Sequence, residues 1–331
     1  MMGTARRLRM GARRAEVMRV GSKSPLWSVV GIAVLAYASL GFGPVSARPR
    51  TDQCMAPLPR RAAFVEHVRF GEVRGRALRL DLVRPATPGP HPVVVLVHGG
   101  AWRRGHRSYM TGTMHAFAAQ GYAAASVDYR LADGARSVFP GPVSDLRCAV
   151  RTLRARAPEL GLDPRRFAAV GFSAGGHLAS MLATASDVGE LDDGSCPVTA
   201  GSANVQAAVS FYGPYDLCAP LRVGPGADGA IRNLLGVSRM RDPARAALAS
   251  PIAHVDRGDP PMLLVHGLRD RVVEVDQTRR MRRALETAGV RVQTLELPNQ
   301  SHGFGVFPRR PSDDGSIACS TLSFLGDALR R

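Results

Sequence analysis

A single serine stands between glycines where a predicted strand meets a predicted helix. The segment "FAAVGFSAGGHLASML" places Ser173 at the centre of a G-x-S-x-G pattern formed with Gly171 and Gly175. A sharp turn from strand to helix leaves no space for side chains two residues before and after its apex, and it exposes the apex hydroxyl. The pattern therefore predicts that Ser173 is a nucleophile at a helix start, where free N–H groups favour negative charge.

A serine hydroxyl is a weak nucleophile until a base takes its proton, and an imidazole base needs an acceptor to hold its tautomer. The segment "QSHGF" puts His302 in a loop after the last predicted strand. The segment "PMLLVHGLRD" puts Asp270 at the end of the strand before it. Asp276 is the alternative acid, but it opens the next predicted helix, where a capping role is expected. We predict a Ser173, Asp270, His302 triad.

Acyl transfer also needs N–H donors for the oxyanion of its tetrahedral intermediate. The segment "VVVLVHGGAW" ends a buried strand in a Gly-Gly turn, where backbone N–H groups can approach a substrate closely. We predict an oxyanion hole formed by the N–H groups of Gly100, Ala101 and Ala174. Trp102 and Phe172 adjoin these residues in the sequence and are the candidates to line the acyl-binding site.

Short apolar runs alternate with helical patterns from residue 63 onward. Continuous runs such as "VVVLV" are typical of strands buried on both faces. Strand and helix alternation predicts an α/β fold, with a mostly parallel eight-stranded sheet and helices on both faces. The predicted strands are 63–70, 77–83, 92–97, 122–127, 167–171, 205–211, 262–266 and 290–297, and the predicted helices are 108–120, 142–157, 174–185 and 276–288.

We expect one catalytic domain over residues 63–331, preceded by a Pro- and Arg-rich linker at 48–62. About fifty residues rich in Gly, Pro and Arg separate two of its later strands, at about 212–260. This segment is too long for a plain connection and is expected to form a small lid. The alternative is a surface insertion without a function of its own.

Residues 1–47 have the features of an export signal. A basic stretch precedes an uncharged segment from Ser24 to Ala47, and its apolar part runs from about Leu26 to Phe42. Small residues near Ala47 favour cleavage there, which would make the protein secreted. Retention as a membrane anchor is the alternative, because the apolar part approaches the length of a spanning helix. Both readings place the catalytic domain outside the cytoplasm.

The chain carries a formal net charge of +17, but its arginines are scattered among acids and apolar residues. A nucleic-acid-binding surface should instead be clustered, so no nucleic-acid partner is expected. The cysteines and histidines show no metal-ligand spacing, and we predict neither a metal nor a cofactor. Of the five cysteines, Cys148 suits a buried free thiol on an amphipathic helix. The other four could form two disulfides, with the pairing open.

From residue 63 to the C-terminus the chain resembles the α/β-hydrolase superfamily, in the branch of acetyl-xylan-esterase-like, feruloyl-esterase-like and hormone-sensitive-lipase-like enzymes. The matching segments are "HGGAW", "VDYRLA", "GFSAGGHLA", "FYGPYDL", "LLVHGLRD" and "SHGF". The resemblance implies Ser173 as nucleophile, Asp270 and His302 as its partners, and the oxyanion-hole donors named above.

The chain departs from the hormone-sensitive-lipase-like pattern at three positions. Those enzymes usually have a third glycine at the place of Ala101, an acid at that of Phe172 and an asparagine at that of His177. The differences favour the esterase-like branch. His177 lies four residues along the predicted helix from Ser173, so it cannot reach the hydroxyl, and we expect it to pack in the core.

The expected function is an exported serine carboxylesterase that acts on small or medium acyl esters through an acyl-enzyme. Kynurenine formamidases share similar motifs, so an amidase or exopeptidase on the same fold is the alternative. A non-catalytic surface-binding protein that kept the fold is a further alternative, since a fold alone does not secure a function.

Overall fold

The computed structural model describes residues 63–132, 138–220, 226–307 and 315–330, without the side chains of 63–66 and 227. The predicted leader at 1–47, the predicted linker at 48–62, and Cys54 lie outside the described residues. Within the described ranges, no helix combines the length and apolar character that a membrane-spanning segment needs.

In the described part of the chain, eight strands form one sheet, as predicted. Its order is β1-β2-β4-β3-β5-β6-β7-β8, with antiparallel pairing of β1 with β2 and of β2 with β4, and parallel pairing elsewhere. The strands are β1 Ala63–Val73, β2 Arg76–Arg84, β3 His91–Val97, β4 Ala123–Val127, β5 Leu162–Phe172, β6 Ala207–Phe211, β7 Met262–Gly267 and β8 Val292–Leu297.

The described residues form eight α-helices, four of which match the predicted ones. They are α1 Thr111–Ala119, α2 Gly141–Ala155, α3 Ala157–Leu160, α4 Ala174–Thr184, α5 Ala227–Leu235, α6 Pro243–Leu248, α7 Val275–Thr287 and α8 Ser316–Leu329. The sequence analysis did not predict α8, although most of its apolar side chains are buried.

The sheet is covered on both faces because successive side chains of a strand point to opposite sides. In β3, Val93, Val95 and Val97 belong to one apolar cluster, whereas Val94 and Leu96 belong to a second. The first cluster includes side chains of α2, α4 and α7, and the second includes side chains of α1 and α8. This arrangement confirms the α/β fold class.

The insertion between β6 and β7 is packed on the domain. Ile231, Leu234 and Leu235 of α5 are buried in the first apolar cluster. The carbonyl oxygen of Leu234 accepts hydrogen bonds from the N–H groups of Val138 and Phe139, at 3.3 and 3.1 Å. The described part of the insertion is therefore anchored to the sheet and its helices, while its role as a lid stays a prediction.

The prediction that Cys148 is a free thiol was wrong. Cys148 on α2 forms a disulfide with Cys196, 48 residues later. The buried face of α2 also carries Arg147, whose guanidinium donates a hydrogen bond to the carbonyl of Val188, so the chain leading to Cys196 packs on this same face. Cys319 is also disulfide-bonded, and Cys218 is exposed and free.

Candidate active site

Ser173 occupies the apex of the turn between β5 and α4. Its backbone has a φ of 55° and a ψ of −119°, which is unusual for a residue with a side chain. The N–H of Ser173 donates to the carbonyl of Phe211 on the neighbouring strand β6, at 2.9 Å. The first turn of α4 closes when the N–H of His177 donates to the carbonyl of Ser173, at 3.0 Å. Hydrogen bonds on both sides thus hold the strained serine.

The glycines on either side of Ser173 are required by close backbone approach. A Cβ at Gly171 would lie 1.9 Å from the carbonyl oxygen of Gly175. A Cβ at Gly175 would lie 2.1 Å from the carbonyl oxygen of Val97 in β3. Neither backbone oxygen can move away without breaking the turn or the strand, so this tight bend accepts only glycine at both positions.

The structure brings Ser173, Asp270 and His302 together from three separate loops. Nε2 of His302 lies 2.9 Å from Oγ of Ser173, and its Nδ1 lies 2.7 Å from Oδ2 of Asp270. A carboxylate only accepts, so Nδ1 carries the proton and donates to Asp270. Nε2 is then free to accept the hydroxyl proton of Ser173. The three side chains have the geometry of a nucleophile, a base and the group that orients the base.

Asp270 is held as a carboxylate. Burial alone would raise its pKa, but hydrogen bonds from His266, His302 and the N–H groups of Val272 and Val273 outweigh burial and hold the pKa well below its usual range. The two N–H groups donate to Oδ1 at 2.7 and 3.0 Å, so the loop after β7 fixes the carboxylate in place.

The alternative acid, Asp276, lies elsewhere. It sits in the first turn of α7 and pairs with Arg280, at 2.6 Å between Nε and Oδ2. The N-cap of this helix is Glu274, so Asp276 does not cap it as expected.

The loop after β3 runs beside the nucleophile. A Cβ at Gly99 would lie 3.3 Å from the Cβ of Ser173. Gly100 and Ala101 both have positive φ, at 122° and 54°. A Cβ at Gly100 would lie 2.0 Å from the carbonyl oxygen of Arg104, so this turn needs glycine there.

Ala174 is the first residue of α4, and its N–H has no acceptor within the helix. The structure thus places the predicted oxyanion-hole residues on two segments that flank Ser173. One is the loop after β3, and the other is the start of α4.

The two predicted substrate-lining side chains are largely buried. Trp102 is 3% exposed, and its indole N–H donates to Nδ1 of His177 at 3.2 Å. Phe172 is 7% exposed and stacks on Phe211, with ring centroids 4.9 Å apart. Both side chains contribute to packing around the site, and their contact with a substrate stays a prediction.

Two residues of the site were not predicted. His266 in β7 is fully buried, with Nε2 3.4 Å from Oδ2 of Asp270 and 2.9 Å from the carbonyl oxygen of Val273. The ring of Tyr212 packs against the imidazole of His302, with centroids 4.5 Å apart. A polar residue inside an apolar strand, four positions before the acid, is a signal that could have identified His266. The position of Tyr212 directly after β6 is a weaker one.

Among the described residues, no three His, Cys, Asp or Glu side chains are grouped so that they could hold a metal ion. The described site offers a serine hydroxyl, an imidazole and a carboxylate.

Comparison with known proteins places this geometry in a family. The BD-FAE family model matches residues 80–285. Esterase LipC of Mycobacterium tuberculosis is 34% identical over 260 residues, which cover 76% of this chain and 62% of LipC. The chain thus spans less than two thirds of the length of this relative.

Solved structures agree with the fold. Esterase 2 of the planctomycete Thermogutta terrifontis superposes with a TM-score of 0.63 at 28% identity, covering 80% of this chain and 90% of that one. The same esterase has been solved phosphoramylated by tabun. A truncated carbohydrate esterase from gut microbiota superposes with a TM-score of 0.71 at 22% identity, covering 82% of this chain and 98% of that one. The chain therefore belongs to the BD-FAE family and has the α/β-hydrolase fold.

Proposed function

We propose that the protein is an exported serine carboxylesterase that hydrolyses small or medium acyl esters through an acyl-enzyme. The observation that carries the proposal is the position of the His302 imidazole, 2.9 Å from the hydroxyl of Ser173 and 2.7 Å from the carboxylate of Asp270. This is the arrangement in which a serine can be deprotonated as it attacks a carbonyl carbon.

Acylation begins when Oγ of Ser173 attacks the ester carbonyl carbon while its proton passes to Nε2 of His302. The carbonyl π electrons move to oxygen, and the N–H groups of Gly100, Ala101 and Ala174 stabilise the resulting oxyanion. When the carbonyl re-forms, the bond to the alcohol oxygen breaks, and that oxygen takes the proton from Nε2. The products of this half-reaction are the free alcohol and an acyl-serine.

Deacylation repeats the sequence with water as the nucleophile. His302 takes a proton from the water as its oxygen attacks the acyl carbon, and then returns that proton to Oγ of Ser173 as the acid departs. Throughout, Asp270 stays ionised and stabilises the imidazolium, because its pKa is held low by its hydrogen-bond donors.

The related proteins support ester hydrolysis by a nucleophilic residue. LipC is named an esterase, and M. tuberculosis LipM a probable carboxylic ester hydrolase. The T. terrifontis esterase is modified by tabun, an organophosphate, and such reagents attach to activated serines. The T. terrifontis esterase has also been solved with propionate and with butyrate bound, which supports short acyl chains in the proposed substrates.

Export is supported by the disulfide between Cys148 and Cys196, since such bonds persist mainly outside the cytoplasm. Together with the apolar segment at 26–42 in the sequence, it supports a secreted protein or one anchored on the outer side of a membrane. Fractionation of producing cells, with mass analysis of the mature N-terminus, tests the site of cleavage after Ala47.

The decisive test of the activity is Ser173→Ala, assayed with a chromogenic acetyl or butyryl ester. We expect hydrolysis to fall by at least ~10³-fold and labelling by a fluorophosphonate probe to disappear. The matched control is Ser202→Ala, at an exposed serine on the loop before β6. It should retain both ester hydrolysis and labelling by the probe. Retained turnover in Ser173→Ala would overturn the proposed mechanism.

A substrate panel separates the proposed function from its amidase alternative. Acetyl, butyryl, octanoyl and feruloyl esters should be compared with an aminoacyl anilide at equal concentrations. Preferential cleavage of the short and medium esters is the expected result, and preferential cleavage of the anilide would favour the amidase.

A further inference from the structure

His177 lies one helical turn after Ser173 and is fully buried. Its Nδ1 faces the indole N–H of Trp102 at 3.2 Å, and the two rings meet edge to face with centroids 5.2 Å apart. Its Nε2 lies 2.7 Å from the carbonyl oxygen of Ala249. One imidazole thus contacts two segments that are distant in the sequence.

The partners of His177 define its protonation. An indole N–H can only donate, so Nδ1 must be an acceptor without a proton. A carbonyl oxygen can only accept, so Nε2 carries the proton and donates to Ala249. Burial lowers the pKa of His177 to about 4, against the opposing effect of the Ala249 carbonyl, and no charged side chain contributes to the shift. The imidazole therefore stays neutral, in one tautomer, at any pH where an esterase of this type works.

The Trp102 contact reaches the oxyanion loop directly. Trp102 follows Ala101, and both residues have positive φ, at 57° and 54°. Two consecutive residues with side chains in this region need support from their surroundings. The carbonyl of Trp102 accepts a hydrogen bond from the N–H of Ala132 at 2.8 Å, and its indole is held by His177.

The Ala249 contact reaches the insertion between β6 and β7. Ala249 follows α6 and precedes the short helical turn Pro251–His254. The next residue, Ser250, donates its hydroxyl to the carbonyl of Ala246, and the same Oγ accepts the N–H of Leu217 at 2.9 Å. The carbonyl that His177 binds therefore belongs to a well-bonded part of the insertion.

We propose that His177 is a positioning residue that holds the oxyanion loop through Trp102 and couples this loop to the insertion through Ala249. The proposal rests on the proposed esterase function, in which the N–H groups of Gly100 and Ala101 stabilise the oxyanion. His177 does not touch the reacting atoms. It acts by fixing the loop whose donors do.

Three variants separate the two hydrogen bonds. In His177→Asn, the amide oxygen stands near the position of Nδ1 and can accept the indole N–H, but the side chain is too short to reach Ala249. In His177→Gln, the amide nitrogen stands near Nε2 and can donate to Ala249, but no acceptor faces Trp102. His177→Leu fills the space and makes neither bond.

Initial rates with a chromogenic butyryl ester test the proposal. We expect His177→Leu to lower kcat roughly tenfold with little change in KM, because oxyanion donors act mainly on the transition state. His177→Asn should retain most of the activity, and His177→Gln should resemble His177→Leu. Equal kcat in the parent and His177→Leu would overturn the proposal. If His177→Leu does not fold, a His177→Gln variant as active as His177→Asn overturns it.

Tryptophan fluorescence gives a readout that packing alone would not move. The chain has two tryptophans, so Trp27→Phe in the full chain leaves Trp102 as the only tryptophan, and excitation at a wavelength that tyrosine does not absorb selects it. The emission should change near pH 4, where His177 gains a proton at Nδ1 and can no longer accept from the indole. His177→Leu in the same background should lack this transition, with far-UV circular dichroism confirming the fold of both. Emission that is the same in the two proteins from pH 7 down to pH 4 would contradict the proposal.

The outcomes separate this inference from the proposed function. If Ser173→Ala is inactive while His177→Leu is fully active, the esterase mechanism stands and the positioning role fails. If Ser173→Ala is active, the mechanism itself fails.

Discussion

Nε2 of His266 lies 3.4 Å from Oδ2 of Asp270, the same oxygen that accepts the hydrogen bond of His302. Two imidazoles thus converge on one carboxylate oxygen. His266 must carry a proton on Nε2, because both atoms it faces there, Oδ2 of Asp270 and the carbonyl of Val273, are acceptors. A donor at this point orients the carboxylate and stabilises its negative charge.

Replacing His266 should therefore alter the pH dependence of hydrolysis. In His266→Leu, Asp270 loses a donor and stabilises the protonated imidazole of His302 more strongly. We expect the acid limb of the kcat/KM profile to move to higher pH, with a roughly tenfold lower plateau. The control is His266→Gln, whose amide can still donate near the position of Nε2. It should restore much of the plateau rate and much of the original position of the acid limb. If the plateau of kcat/KM falls while the acid limb stays at the same pH, His266 only supports the fold.

Gly175→Ala should destabilise the protein severely. The added methyl carbon would lie 2.1 Å from the carbonyl oxygen of Val97 and 2.6 Å from that of His98, and neither backbone group is free to move. We expect a loss of about 3 kcal/mol or more in the free energy of unfolding. Urea denaturation measures this loss.

The matched control is Gly112→Ala, at an exposed position of α1 where a Cβ meets nothing within 4 Å. It should raise the free energy of unfolding by up to ~1 kcal/mol, because alanine loses less backbone entropy in a helix. If the two substitutions changed the free energy of unfolding by similar amounts, the close approach of the Val97 and His98 carbonyl oxygens would not be the reason that residue 175 must be glycine.

Removing the disulfide between Cys148 and Cys196 should cost about 4 kcal/mol of unfolding free energy, the value expected for a closed loop of this length. Cys148→Ala, Cys196→Ala and the double variant should lose the same amount, since each removes one bond. Cys218→Ala, at the exposed free cysteine, should change little. Urea unfolding under non-reducing conditions decides the matter, and an unchanged midpoint in Cys148→Ala would contradict the pairing.

Asp259 should make stability fall as pH rises. Burial raises its pKa to about 6, reinforced by Asp256 and Asp187 and opposed by the N–H of Asp256. The folded state therefore binds this proton more tightly than the unfolded state does. Its ionisation opposes folding increasingly from about pH 4 to pH 6, and fully above that.

Asp259→Asn removes this ionisation and can still accept the N–H of Asp256. Its melting temperature should exceed that of the parent at pH 7.5 and approach it at pH 4. A difference that is constant across this pH range would count against the raised pKa.

The sheet could be predicted from the sequence because its buried strands are continuous apolar runs and are separated by clear helical patterns. Ser173, Asp270 and His302 could be predicted because each follows a strand, and strand ends share one edge of a parallel sheet. Helix α8 was not predicted because its first turns mix serines, small residues and apolar residues and have no charged face. The segment therefore lacks the amphipathic pattern that indicates a helix.

The disulfide and the supporting histidines depend on contacts that local patterns do not encode. Cys148 suited a buried thiol, but burial also brought it against the segment that ends at Cys196. His177 and His266 are polar residues within apolar elements, and only the packed structure reveals Trp102, Ala249 and Asp270 as their partners. The partners of His177 lie more than 70 positions away in the chain, so sequence alone does not distinguish it from an ordinary core residue. Asp270 is only four positions from His266, but the direction of the two side chains is set by the turn after β7.

The serine and its base are 129 positions apart, with the base on the later segment. A growing polypeptide therefore contains Ser173 long before it contains His302, and α8, which completes one face of the core, is made later still. Hydrolysis by the proposed route must wait until the segment that carries His302 has been made. An enzyme assembled in this order cannot attack ester metabolites near the ribosome while it is incomplete.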